Sequence, residues 1–331
     1  MAGPHSFFGP VDPAADAGYD EDHPKRKGFF TDTSICIGCK ACEVACKEWN
    51  DVPADHYDML GSSYDNSHSL NANQWRHVAF IEQPKRLGEQ ESGLRRQAAE
   101  KAVSLGMPAI GAPPDVMKAQ VTLPDALSDG TDPGHADGVD RPDFRWLMSS
   151  DVCKHCTHAA CLDVCPTGSL FRSEFGTVVV QDDICNGCGY CVPACPYGVI
   201  DQRKDDGRVF KCTMCYDRLT DGLQPACATA CPTQSIQFGD LDELQARADA
   251  RLETLQGQGV ETARLYGRDE SDGVGGVGAF FLLLDEPEVY GLPPDPIVTT
   301  RDLPAMWKAA GKAALMMVGV AVTAIVGSRR S

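Results

Sequence analysis

Sixteen cysteines stand in this chain of 331 residues as four groups of four, with none left over. The groups are Cys36, Cys39, Cys42 and Cys46; Cys153, Cys156, Cys161 and Cys165; Cys185, Cys188, Cys191 and Cys195; and Cys212, Cys215, Cys227 and Cys231. Thiolates repeated every three residues converge on one compact, soft metal core. A loop of that spacing wraps three corners of an iron–sulfur cubane and leaves the fourth ligand to come from elsewhere. The run C-x2-C-x2-C-x3-C-P is a bacterial ferredoxin pattern whose last cysteine serves the other cluster of a pair. Residues 185–196 match it in full, and residues 36–46 keep its spacing with Lys47 in place of proline. The second group widens the middle gap to four residues and the fourth widens it to eleven.

Other residues near the cysteines have narrower readings. Gly38, Gly187 and Gly189 permit positive φ and let backbone N–H groups approach cluster sulfur. His155 and His158 stand among the second group, which already supplies four thiolates, so they read as packing or hydrogen-bonding neighbours of the ligands. Lys40, Lys47, Lys154 and Lys211 flank cysteines and either offset cluster charge or sit as solvated surface. Zinc is the alternative metal, but its modules set two C-x2-C pairs far apart, which only the fourth group resembles. Disulfide frameworks spread their partners along the chain, unlike these tight repeats.

The elements that must position these loops recur. Short apolar stretches at Phe29-Phe30, Val178-Val179-Val180 and Val209-Phe210 precede the first, third and fourth groups and predict strands feeding ligand loops. A proline follows Cys165, Cys195 and Cys231, with an apolar residue soon after, which marks an internal repeat. Residues 169–181 predict a hairpin turning near Glu174-Phe175-Gly176. The long interval between Cys46 and Cys153 predicts an inserted lobe, with strands at 77–82 and 144–148, a helix over 89–105 and a loop-like linker over 111–142. Beyond Cys231, an exposed amphipathic helix is expected over 240–255 and a buried strand over 279–284.

The ends of the chain and its charge bound its setting. Residues 1–27 are rich in proline and acid and predict a flexible arm without an apolar run able to serve as a signal peptide. Residues 303–328 predict a helix whose uncharged part begins at Ala313, and it is expected to be transmembrane, with Lys308 and Lys312 snorkelling at one end. Gly319, Thr323 and Gly327 form a weak small-residue stripe on it. A formal charge of −17 argues against a nucleic-acid partner.

At residues 31–50, 150–200 and 211–236, somewhat under a third of the chain, the sequence resembles the iron–sulfur electron-transfer subunits of molybdenum- and tungsten-dependent oxidoreductases. It is most similar to the beta subunit of formate dehydrogenase, through T-D-T-S-I-C-I-G-C-K-A-C-E-V-A-C-K-E-W-N and C-K-H-C-T-H-A-A-C. The resemblance implies an α+β fold of two bacterial ferredoxin-like domains holding four [4Fe–4S] clusters. Cluster a would be held by Cys36, Cys39, Cys42 and Cys231, and cluster b by Cys212, Cys215, Cys227 and Cys46. Cluster c would be held by Cys153, Cys156, Cys161 and Cys195, and cluster d by Cys185, Cys188, Cys191 and Cys165. Some nitrate reductase relatives replace one cysteine of the second group with an aromatic residue and keep a three-iron cluster; all four cysteines are present here.

Residues 28–50 and 205–240 would then form one discontinuous domain and 150–204 the other. The arm (1–27), the lobe (51–149), an extension (241–300) and the terminal helix (303–328) would surround them. The resemblance further implies a pterin-bound catalytic alpha subunit that oxidises formate, a membrane cytochrome b (gamma) subunit, and quinone beyond it. The protein itself would relay electrons without turning substrate over. Its expected location is the prokaryotic plasma membrane, mostly on the extracytoplasmic face, reached by co-export with a signal-bearing partner. The competing functions are the same relay in a sulfoxide, polysulfide or nitrate reductase or a hydrogenase, and a structural zinc-binding adaptor.

Overall fold

A computed structural model of the protein describes residues 12–54, 67, 69–84, 144–301 and 303–328. The helix expected over 89–105, the linker over 111–142 and the start of the arm lie outside the described residues. The strands are β1 (Lys27–Asp32), β2 (Arg76–Pro84), β3 (Phe144–Val152), β4 (Leu170–Arg172) and β5 (Val178–Val180). They continue as β6 (Asp201–Gln202), β7 (Val209–Phe210), β8 (Ile236–Asp240), β9 (Arg264–Tyr266) and β10 (Ala279–Leu283). Each apolar stretch read as a feeder strand is one: β1, β5 and β7 run into the first, third and fourth cysteine groups.

The main sheet has the order β8-β1-β10-β9. β1 pairs antiparallel with β8 and parallel with β10, Phe30 lying opposite Gln237 on one side and Phe280 on the other. Its centre is dry, since Phe29, Phe30, Phe280, Phe281, Leu282 and Leu283 are all 0% exposed. A continuous apolar run such as 280–284 suits a strand buried on both faces. The helix Leu241–Gly257 packs on this sheet through Leu241, Leu244 and Ala248, with Leu255 buried in its last turn. That spacing is the helical one, and each buried leucine contributes about 1.5–3 kcal/mol.

Three antiparallel pairs complete the strand inventory. β4 and β5 form the hairpin expected over 169–181, β6 and β7 a second, and β2 pairs with β3 along its whole length. The last pair supplies the described strands of the lobe, with β3 running past its end at 149. A smaller apolar cluster, centred on Leu170, Val178, Ile200 and Val209, packs beneath β4 to β7.

The C-terminal helix Leu303–Ser328 forms over the expected range. Its transmembrane character is not supported: among the described residues no helix is long and apolar enough to cross a membrane. Lys308 and Lys312 confine its uncharged run to 16 residues, 313–328, short of the roughly 18 that mark a span. Met306, Trp307 and the run 315–318 are exposed on it.

Candidate functional site

Tight loops and very short helices place the cysteines. Gly38, at φ 65°, lies where a Cβ would stand 2.6 Å from Phe80 Cε1 and 2.7 Å from Met148 Sδ. Gly187, at φ 70°, would set a Cβ 2.6 Å from the Gly207 carbonyl oxygen. In both loops glycine is required twice over, by the left-handed backbone and by the close approach. Cys215 itself is left-handed, at φ 50°, and opens the helix Tyr216–Thr220.

The cysteines gather into quartets that cross between sequence groups. One cavity is lined by Cys36, Cys39, Cys42 and the distant Cys231. A second is lined by Cys185, Cys188, Cys191 and Cys165. A third is lined by Cys153, Cys156, Cys161 and Cys195. Cys46 completes the pattern, since burial pushes its thiol well above the usual range and Cys212, Cys227 and Cys215 press on it electrostatically.

These quartets also lie within electrostatic reach of one another. Burial, opposed by Arg76, pushes Cys42 up to about 11, and Cys227 of the next quartet adds to the rise. Burial and then Cys153 of the third quartet push Cys212 up to about 12. Burial raises Cys161, and Cys191 of the fourth quartet is among the charges that raise it further. Neighbouring quartets thus feel one another in the order a, b, c, d. Cys39 and Cys188, in the two end quartets, are exposed, whereas Cys212, Cys215, Cys227 and Cys153 are buried.

Four desolvated thiols facing one another are a costly arrangement unless a cation gathers them as thiolates. Among the described residues no three His, Cys, Asp or Glu side chains converge closely enough to hold a single metal ion. Each cavity is instead a space ringed by sulfur, which suits a cubane and not a zinc ion. His155 makes the fit specific. It lines the third cavity, and its Nδ1 accepts the Val178 backbone N–H at 3.1 Å. Burial, with Lys211 and Arg172 nearby, holds the ring neutral, so the proton sits on Nε2. That buried Nε2 has no protein partner and is suited to donate to cluster sulfur.

The flanking lysines divide. Lys154 and Lys211 are buried; the first pairs with Asp151, and the second donates to the carbonyls of Val178 and Cys212. Lys40 pairs with Glu43 at 3.1 Å, and Lys47 donates to Asn73 O at 2.8 Å. Only the buried two can offset cluster charge from inside. His158 packs against the Gly275 loop. Cys165 differs from the buried ligands: burial acts to raise it, but N–H groups of Leu170, Thr167 and Ser169 and the Thr167 hydroxyl lower it overall. Cysteine spacing does not reach Asn50 and Arg76, which the structure adds to the site. Asn50 Nδ2 lies 3.8 Å from Cys46 Sγ and 3.7 Å from Cys215 Sγ.

Comparison with known proteins points to the same cofactor. Models of the 4Fe-4S dicluster domain match residues 35–169 and 144–241. The formate dehydrogenase iron-sulfur subunit of Haemophilus influenzae is 33% identical over 313 residues, covering 92% of this chain and 80% of the relative. The nitrate-inducible formate dehydrogenase iron-sulfur subunit of Escherichia coli is 34% identical over 295 residues, covering 88% and 80%. The protein belongs to the family of formate dehydrogenase iron–sulfur subunits. A subunit of the anaerobic dimethyl sulfoxide reductase of Escherichia coli is more distant, at 29% over 220 residues, covering 66% of this chain and 76% of the relative. As a formate dehydrogenase-type iron–sulfur subunit, the protein carries four [4Fe–4S] clusters and transfers electrons without a catalytic centre of its own.

Proposed function

We propose that the protein relays electrons within a membrane-associated formate dehydrogenase complex, from a molybdenum- or tungsten-pterin catalytic subunit towards a cytochrome b and quinone. The succession of quartets a, b, c and d carries this reading, because each lies within electrostatic reach of the next. Cluster a falls to Cys36, Cys39, Cys42 and Cys231, and cluster b to Cys212, Cys215, Cys227 and Cys46. Cluster c falls to Cys153, Cys156, Cys161 and Cys195, and cluster d to Cys185, Cys188, Cys191 and Cys165. When bound, the clusters supply one-electron chemistry; the protein's residues hold them and set their electrostatic surroundings.

The exposed cysteines Cys39 and Cys188 give the relay an open end at each terminal quartet. Exposed apolar side chains, Ile37 beside the first and Tyr190 beside the second, suit docking of partner subunits there. The exposed apolar side chains Met306, Trp307, Leu315, Met316, Met317 and Val318 of the helix Leu303–Ser328 support anchoring to the membrane, with its two lysines at the interface; the bulk of the protein would lie on the extracytoplasmic face. Formate-dependent bleaching of the visible iron–sulfur absorbance in the purified complex tests the reading. An intact complex that stays coloured with formate, yet bleaches with dithionite, would assign the relay to a different oxidoreductase.

A further inference from the structure

Arg76 is a cation buried where two cysteine quartets meet. It is 1% exposed, and its Nη2 donates to Cys227 Sγ at 3.2 Å. Its Nη1 donates to Ser150, to the carbonyl at 3.2 Å and to the hydroxyl at 3.4 Å. The Ser150 hydroxyl is in turn hydrogen-bonded to Cys42 Sγ at 3.2 Å. A continuous path, Cys42–Ser150–Arg76–Cys227, therefore joins quartet a to quartet b. Both intermediate residues come from the β2–β3 strand pair, Arg76 from β2 and Ser150 from β3, two rungs apart in the same ladder.

A buried guanidinium is costly unless compensated. The opposite charges that Arg76 faces are the thiolates of Cys227, Cys42, Cys212 and Cys46, which outweigh its desolvation. Its Nε is buried without a partner, a further cost that a neutral side chain would avoid. Phe29 covers it, with the ring centroid 4.9 Å from Cζ, and excludes water that would screen the charge. Arginine stays protonated at any working pH, so this is a fixed charge and not a switch.

We propose that Arg76 is a positioning residue that holds one permanent positive charge between the two quartets and sets the reduction potentials of both, with Ser150 carrying its effect to the Cys42 side. The inference rests on the assignment of clusters a and b to these quartets. Each added electron makes a cluster more negative, so a cation held between two clusters favours the reduced form of each. A hydrogen bond to ligand sulfur acts in the same direction. The β2–β3 strand pair thereby gains a role: it delivers both members of the bridge to the junction.

The test uses the intact complex, purified without oxygen, with iron and acid-labile sulfide measured before EPR-monitored redox titration. In Arg76→Met, two of the four midpoints should fall, each by at least a tenfold drop in the reduced-to-oxidised ratio at fixed potential, about 59 mV for a one-electron couple. Arg76→Lys should recover most of that shift. Ser150→Ala should lower one midpoint and leave its neighbour nearly unmoved. Arg76→Met with full iron and four unmoved midpoints overturns the proposal. Should Arg76→Met lose iron, the other two variants decide it: four unmoved midpoints in Ser150→Ala, together with one or more displaced midpoints in Arg76→Lys, count against a charge-setting bridge. Iron near zero in the unmodified complex would defeat the cluster assignment itself, a failure distinct from these.

Discussion

The two halves of the cysteine framework solve the same ligand problem over different distances. Quartets c and d draw their cysteines from residues 153–195 and are backed by two short hairpins and a small apolar cluster. Quartets a and b join residues 36–46 to residues 212–231 and are backed by a four-stranded sheet with a dry aromatic centre. Closing a long loop costs more conformational entropy than closing a short one, though the cost rises only slowly with length. Where distant ligands must be brought together, the larger core stands behind them. The short half has only a small apolar cluster of its own, and quartet c leans on the main core through Cys153 and through backbone hydrogen bonds from Gly278 and Ala279.

The sharpest way to break that comparison is to remove the clusters. After anaerobic chelation, hydrogen exchange should show β4 to β7 losing protection while β1, β8 and β10 keep much of theirs; equal loss in both halves would dissolve the distinction. Next in size is Cys231→Ser, which should cost about a quarter of the bound iron, with the loss at the cluster of Cys36, Cys39 and Cys42. If the cluster of Cys212, Cys215 and Cys227 vanished and that of Cys36 persisted, the crossed pairing would be wrong.

Core truncation comes third. Phe281→Ala in the large sheet should destabilise the protein by about 3–5 kcal/mol, and Leu170→Ala in the small cluster by about 2 kcal/mol. Denaturant titrations followed by tryptophan fluorescence and by cluster absorbance would separate the two losses. A larger cost at Leu170 would reverse the ranking of the cores. The smallest effect concerns pH. His155 is held neutral well below its usual value of 6.5, so below about pH 6.5 the unfolded state takes up a proton that the folded state does not. Stability should therefore fall as pH drops through that range, by no more than about 1.36 kcal/mol per pH unit, and be flat in this respect above it. In His155→Gln the slope should flatten; an unchanged slope would place the acid sensitivity elsewhere.

Local pattern makes the ligand loops, their feeder strands and the 169–181 hairpin legible, because each depends on residues near it in sequence. The parallel pairing of β1 with β10 is not legible in that way, since Phe30 and Phe280 meet only through the tertiary fold and nothing near Phe29 signals that partner. The buried run 279–284 reads as a strand, but without chemistry to attach to it. The crossed quartets come into view through resemblance and not through spacing. Arg76 does leave a trace: in the two-residue alternation of β2 it shares a face with Val78, and both are 1% exposed. An arginine at an apolar position in a strand is a signal that something negative awaits it inside.

The cavity lined by Cys36, Cys39, Cys42 and Cys231 also orders events in time. A ribosome delivers the first three of these side chains early, yet the fourth wall is among the last of the cysteines to emerge. The quartets of the short half are complete once Cys195 has left the exit tunnel. The site begun first in synthesis is thus finished last, and until then its three waiting thiols need protection from oxygen and stray metal.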